Sequence, residues 1–249
     1  MEKFNVESPA GVVTGGVLLG GCERVLIAAH GFGSCALSRT NRLLMDTMPQ
    51  SGWGVAAFDF PGHGDSSAPP EALRIESCLD ALEAVENLVQ ERYPGAETAY
   101  FGSSFGAYIT AIYLSRRGHR GKRAFFRSAA VTMPDILLGQ EWPGAAEQLS
   151  ERGWFSLDYP GYQHPLAIPQ GFLDDLRETE LFEVYGSDAE LAMIHGDADE
   201  TVPYEAARRF AEKFGARLIT VPGGHHALDE GNQRMETAEA LLAFLNGRG

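Results

Sequence analysis

The chain has 249 residues, 44% of them apolar and 22% charged, values that exclude disorder and allow one large α/β domain or two small ones. Its 34 acidic and 20 basic side chains leave a net charge of −14, which disfavours nucleic-acid binding, because a phosphate backbone calls for a basic stripe. No run approaches the roughly 18 apolar residues of a membrane span. The first residues show no cationic segment leading into an apolar core, and the three cysteines, Cys22, Cys35 and Cys78, lack metal-ligand spacing. A reduced, cytoplasmic protein with no zinc and no cofactor is expected.

In chain order, Val12, Val13, Val17, Leu18 and Leu19 around Gly15-Gly16 predict an antiparallel hairpin at a sheet edge. Val25 to Ala29 and Val55 to Phe58 are short apolar runs without alternation, as in parallel strands covered on both faces. Ile75, Cys78, Leu79, Leu82, Val85, Leu88 and Val89 recur at three- and four-residue steps, predicting a helix over 75–93 that Pro94-Gly95 ends. A strand at 99–101 and a helix over 105–117 follow. The one basic run, Arg116 to Arg123, reads as a solvated helix end and loop. Further strands are predicted at 129–133, 191–194 and 218–221, with helices at 204–214 and 234–245. Strand–helix–strand repetition implies a doubly wound, mostly parallel α/β sheet.

Residues 134–189 break this rhythm. They carry Trp142, Trp154, Phe155, Tyr159, Tyr162, Phe172, Phe182 and Tyr185 among prolines, glycines and acids, and are too long for an ordinary connection. They read as a small inserted cap, leaving 1–133 and 190–249 as the core.

The stretch Phe101-Gly102-Ser103-Ser104-Phe105-Gly106 offers two serines between a strand and a helix. A strained strand-to-helix turn presents its central side chain at the sheet's carboxyl edge and squeezes the positions two residues either side. With Ser104 at the centre those flanks are Gly102 and Gly106. With Ser103 they are Phe101 and Phe105, which would collide. Ser104 is therefore the candidate nucleophile. The competing reading of the pattern is a turn with a capping serine.

A serine hydroxyl needs a base and a carboxylate that orients it. Two later strands run into "HGDADETVP", with Asp197 and Asp199, and "PGGHHAL", with His225 and His226. Both loops fall past strand carboxyl ends, on the edge where open α/β sheets bind ligands. The residues themselves leave both pairs open.

Together these motifs resemble the α/β-hydrolase superfamily, especially its serine-esterase and serine-aminopeptidase-like branch. His30-Gly31-Phe32-Gly33 is similar to the oxyanion loop of that family, Asp59 to Ser66 to its D-x-x-G-H-G-x-S stretch, and Gly102 to Gly106 to its nucleophile elbow. The resemblance implies an α/β-hydrolase fold, a triad of Ser104, Asp199 and His226, and an oxyanion hole from the amides of Phe32 and Phe105. Asp197 is then expected to brace its own turn, and His30 and His63 to shape loops. The implied activity is hydrolysis of small carboxylic esters through an acyl-enzyme; an aspartate nucleophile, as dehalogenases and epoxide hydrolases use, is absent. Amide or thioester hydrolysis by the same triad is the alternative.

The aromatic-rich 134–189 region implies apolar or aryl acyl groups, with Trp142 and Tyr162 as candidate substrate contacts. Its "DYPGYQHP" and "GFLDDL" stretches are similar to small bacterial feruloyl- and cinnamoyl-esterase-like enzymes. Polyanionic substrates are disfavoured by the acidic surface. Two rival classes remain in view. One is a non-catalytic receptor on the same scaffold. The other is a nicotinamide-dependent reductase, drawn from Gly31-x-Gly33-x-x-Ala36 and Asp59 but lacking a Tyr-x-x-x-Lys pair.

Overall fold

The computed structural model describes residues 1–8, 11–20, 23–158 and 161–247; Cys22 and Tyr159 lie outside the described residues. Its strands are β1 (Glu2–Glu7), β2 (Val13–Leu19), β3 (Arg24–Ala29), β4 (Gly54–Phe58), β5 (Glu97–Ser103), β6 (Arg123–Arg127), β7 (Trp154–Leu157), β8 (Leu166–Pro169), β9 (Glu190–Gly196) and β10 (Arg217–Val221). The helices are α1 (Arg39–Thr47), α2 (Ile75–Arg92), α3 (Phe105–Arg116), α4 (Met133–Leu138), α5 (Ala145–Arg152), α6 (Gln170–Glu178), α7 (Leu181–Val184), α8 (Tyr204–Phe214) and α9 (Gln233–Leu245). Eight strands form one sheet in the order β1-β2-β4-β3-β5-β6-β9-β10. β1–β2 and β2–β4 pair antiparallel, and every other pair is parallel.

The strand pleat explains the continuous apolar runs. In β3, Val25, Ile27 and Ala29 point into a core shared with α2 and α3, while Leu26 and Ala28 point into a second core with α1 and α9. Both faces are buried, so alternation disappears. Helix α1 escaped the sequence reading because its buried face is short, only Asn41, Leu44 and Met45.

Between β6 and β9 the chain leaves the sheet. Residues 133–189 build α4, α5, an antiparallel β7–β8 pair, α6 and α7. Asp175 ties this excursion down: Arg74 Nε and Nη2 donate to its two oxygens at 2.8 and 2.5 Å, and the amide of Ile75, first residue of α2, donates at 2.9 Å. The carboxylate thus satisfies an orphan amide at a helix N-terminus, where negative charge is favoured.

Three expectations need correction. The edge hairpin forms, but Gly15-Gly16 lies within β2 and not at a turn; Gly15 pairs with Asn5 and Gly16 with Phe4. The strand expected at 129–133 is β6, six residues earlier, because Ser128 at φ +47° turns the chain out of the sheet. Ala129, Ala130 and Val131 are apolar because they are buried at the sheet's edge, and Ala130 donates to Ser104 O at 3.2 Å. The basic run is paired as well as solvated: Arg117 reaches Glu76, Asp80 and Glu83, and Lys122 reaches Asp188. No helix among the described residues is long and apolar enough to cross a membrane.

Candidate active site

β5 feeds directly through Ser104 into α3. Ser104 has φ +53° and ψ −112°, a region costly for a side-chain-bearing residue by about 1–3 kcal/mol. The flanking glycines make the turn possible. A Cβ on Gly102 would sit 2.5 Å from Ala107 Cα, and one on Gly106 would run into the backbone carbonyls of Ala29 and His30.

His226 Nε2 lies 3.0 Å from Ser104 Oγ, and His226 Nδ1 lies 2.8 Å from Asp199 Oδ2. A carboxylate can only accept, so Nδ1 carries the proton and Nε2 faces the serine as an acceptor. Asp199 Oδ1 accepts from the amides of Thr201 and Val202 at 2.9 and 2.8 Å. Burial alone would raise the Asp199 carboxyl, but hydrogen bonds from His195 and His226 outweigh it and hold the group well below the usual carboxylate range.

The doubled residues separate cleanly. Asp197 Oδ1 accepts from Gly223 N at 2.6 Å, and His225 Nδ1 faces Glu200 at 3.0 Å in solvent. The expectation for Asp197 is corrected: it ties its loop to the histidine loop, and Asp199 braces the turn. The two loops touch at Gly196 and Gly224, where a Cβ on Gly196 would overlap the carbonyl of Gly224.

Three contributing residues were missed. His195, fully buried, places Nε2 3.0 Å from Asp199 Oδ2 and 3.1 Å from Val202 O. Facing two acceptors, Nε2 must carry the proton. Its position at the start of "HGDAD" was the available signal. Arg127 and Ser128, at the end of β6, grip the histidine loop. Ser128 Oγ donates to His226 O at 2.9 Å, and Arg127 Nη2 donates to Ala227 O. Burial pushes the Arg127 guanidinium down to about 10, against the pull of Asp229 and Asp199. A lone cation beside the buried pair Phe125-Phe126 was its signal.

Gly31 lies against the strand-to-helix turn, its Cβ direction 3.6 Å from Ser104 Cβ, so the loop bearing Phe32 borders Ser104. Phe105 opens α3, where the first amides have no intrahelical acceptor. His30 accepts from Phe60 N at 3.1 Å through Nε2 and donates to Gly31 O at 2.7 Å through Nδ1. His63 stacks on Phe105 with ring centroids 5.9 Å apart. Burial pushes His30 down to about 4 and His63 to about 3.

A cleft of about 1240 Å³ runs past Ser104 and His226. Met133, Ile136, Leu137, Trp142, Leu157 and Tyr162 contribute apolar surface to it. Tyr162 packs directly on Gly33, its ring 6.2 Å from that of Phe32, and Trp142 Nε1 donates to Leu137 O at 3.0 Å. Asp59 is occupied by the amides of Ala36 and Asp65 at 2.6 and 3.2 Å, which removes the acid the reductase reading needed. Among the described residues no group of three His, Cys, Asp or Glu is disposed to hold a metal.

A family model described as alpha/beta hydrolase fold matches residues 24–153, just over half of the chain. The chain belongs to this family. It is 23% identical over 201 residues to the uncharacterized protein YfhR of Escherichia coli K12, a match covering 79% of this chain and 61% of that protein. The chain thus spans about three-fifths of that relative's length. Among solved structures, Est1E from Butyrivibrio proteoclasticus with ferulic acid bound superposes with a TM-score of 0.81 at 21% identity, covering 98% of both chains. The esterase domain of a Rhodothermus marinus protein gives 0.74 at 17% identity, covering 98% of this chain and 96% of that one. These two likenesses establish the fold.

Proposed function

We propose that this alpha/beta hydrolase fold protein is a serine hydrolase of small carboxylic esters, with residues 134–189 acting as a cap over the acyl group. The observation that carries the reading is the continuous line Ser104 Oγ–His226 Nε2 at 3.0 Å and His226 Nδ1–Asp199 Oδ2 at 2.8 Å. Ser104 attacks the ester carbonyl while His226 Nε2 takes its proton, and Asp199 stabilises the imidazolium. The oxyanion is met by the amides of Phe32 and Phe105, preorganised donors that need no rearrangement as charge develops. Collapse expels the alcohol, which leaves with the proton held on His226. Water activated by the same imidazole then hydrolyses the acyl-enzyme.

The apolar wall of Met133, Leu137, Trp142 and Leu157 supports an apolar or aryl acyl group, and so does the ferulic acid held by Est1E. A panel of p-nitrophenyl esters of rising acyl length, methyl ferulate and an aminoacyl anilide tests this. Ester turnover strongest for aryl or medium-length acyl groups is expected. Fast anilide cleavage beside sluggish esters would overturn the ester preference.

A further inference from the structure

Net charge counsels against anionic substrates, yet the cleft reverses the sign of the chain. Its lining holds five cations, Lys3, Arg39, Arg42, Arg127 and Arg234, against three acids, Asp59, Asp65 and Asp229, in a protein with 20 basic and 34 acidic residues. Two of those acids are already engaged. Asp59 accepts two backbone amides, and Asp229 pairs with Arg234 at 2.8 Å. Arg127 is buried on Ser103 and the histidine loop. Lys3, Arg39 and Arg42 remain, opposed only by Asp65. Among the described residues none of these three cations is in an ion pair; Arg42 gives one donor, Nε, to Leu37 O at 2.8 Å.

All three line the same cleft. Lys3 comes from β1 and Arg39 and Arg42 from α1, together with the polar Asn5, Ser66 and Ser67. In the sheet, β5, with Ser104 at its end, separates β1, which carries Lys3, and β3, which α1 follows, from β6, after which come Met133, Leu137 and Trp142 of the same cleft. Ser104 lies between an apolar arm and a cationic arm. A cleft lined by one sign of charge concentrates the opposite charge even when the whole molecule carries the same sign as the ligand.

We infer that the leaving alcohol of the substrate carries an anionic group, a carboxylate or a phosphate, and that Lys3, Arg39 and Arg42 hold it. The inference rests on the esterase reading, because an acyl group under the cap directs the alcohol along α1 and β1.

The test uses phenylpropionyl esters of γ-hydroxybutyrate, of hydroxypropyl phosphate and of the neutral γ-hydroxybutyramide. At low ionic strength at least one anionic ester should exceed the amide in kcat/KM by about tenfold, and the better of the two identifies the anion. Salt near 1 M should bring the ratio to within about twofold of unity. The triple variant Lys3→Gln/Arg39→Gln/Arg42→Gln should lose the preference. A control with the same change in net charge, Arg92→Gln/Lys122→Gln/Arg208→Gln, at ion-paired sites outside the cleft, should keep it. A wild-type ratio at or below unity, or an unchanged ratio in the cleft variant, would overturn the inference while leaving the esterase reading intact. Turnover of none of the three esters would sink the esterase reading first, and the cationic arm with it.

Discussion

Arg127 Nη1 donates to Ser103 Oγ at 2.8 Å, so the serine beside the proposed nucleophile is held by the last residue of the neighbouring strand. The same guanidinium donates to the carbonyl of Ala227, in the histidine loop. One side chain thus joins the elbow to the loop that carries His226. Arg127→Gln should lower kcat/KM by about 10²-fold through misplacement of the imidazole, with KM changing far less than kcat. Ser103→Ala, which leaves Arg127 its loop carbonyl, should cost about tenfold or less. Steady-state kinetics on one ester decide it; equal losses in the two variants would show that Arg127 does not act through the loop.

His195 and His226 both reach Asp199 Oδ2. Replacing His195 by Phe leaves a buried carboxylate short of a charge-assisted hydrogen bond, a loss of about 1.5–3 kcal/mol. The Asp199 value is depressed in the folded state, so its contribution is present above the unfolded carboxyl value and fades as pH falls below it. His195→Phe should therefore carry a constant deficit from neutral pH down to about pH 4 and approach wild type only as the pH falls further, toward the lowered folded value of Asp199. Urea unfolding followed from pH 7 down to pH 2 measures this; a deficit that stays constant over the whole range would assign His195 to packing alone.

His30 and His63 are buried with folded values near 4 and 3, below the unfolded value of about 6.5. The unfolded chain takes up protons first as pH drops. Stability is full above about 6.5 and falls between there and the folded values, by about 1.4 kcal/mol per pH unit for each histidine. In His63→Gln the decline from pH 6 to pH 4.5 should be about half as steep. An unchanged slope in thermal melts would remove His63 from the account.

Gly196 and Gly224 let the aspartate and histidine loops meet backbone to backbone. Gly196→Ala should push them apart and lower kcat by about 10²-fold, with slower fluorophosphonate labelling of Ser104. Full activity in that variant would show that the close approach is incidental.

Much of this was legible in the chain, and the reasons differ by residue. Ser104 was singled out because the steric demand of the turn falls on positions 102 and 106, a local constraint written in neighbouring residues. Asp199 and His226 came from family resemblance, since no local rule separates them from Asp197 and His225; the separation depends on how two loops far apart in sequence fold against each other. β6 was misplaced because the apolar run after it is buried by tertiary contact and not by strand pairing. Arg127 and Ser128 act through side-chain contacts across about a hundred residues, which periodicity cannot register. The cationic arm was invisible because net charge averages over the whole surface while the cleft gathers Lys3, Arg39 and Arg42 from distant segments.

The central claim is that the Ser104 hydroxyl, and not its neighbour at 103, is the group His226 activates. Fluorophosphonate labelling followed by intact mass and peptide mapping tests it on wild type, Ser104→Ala and Ser103→Ala. One adduct on Ser104 is expected in wild type and in Ser103→Ala, and none in Ser104→Ala. An adduct on Ser104→Ala with wild-type kinetics would contradict the account.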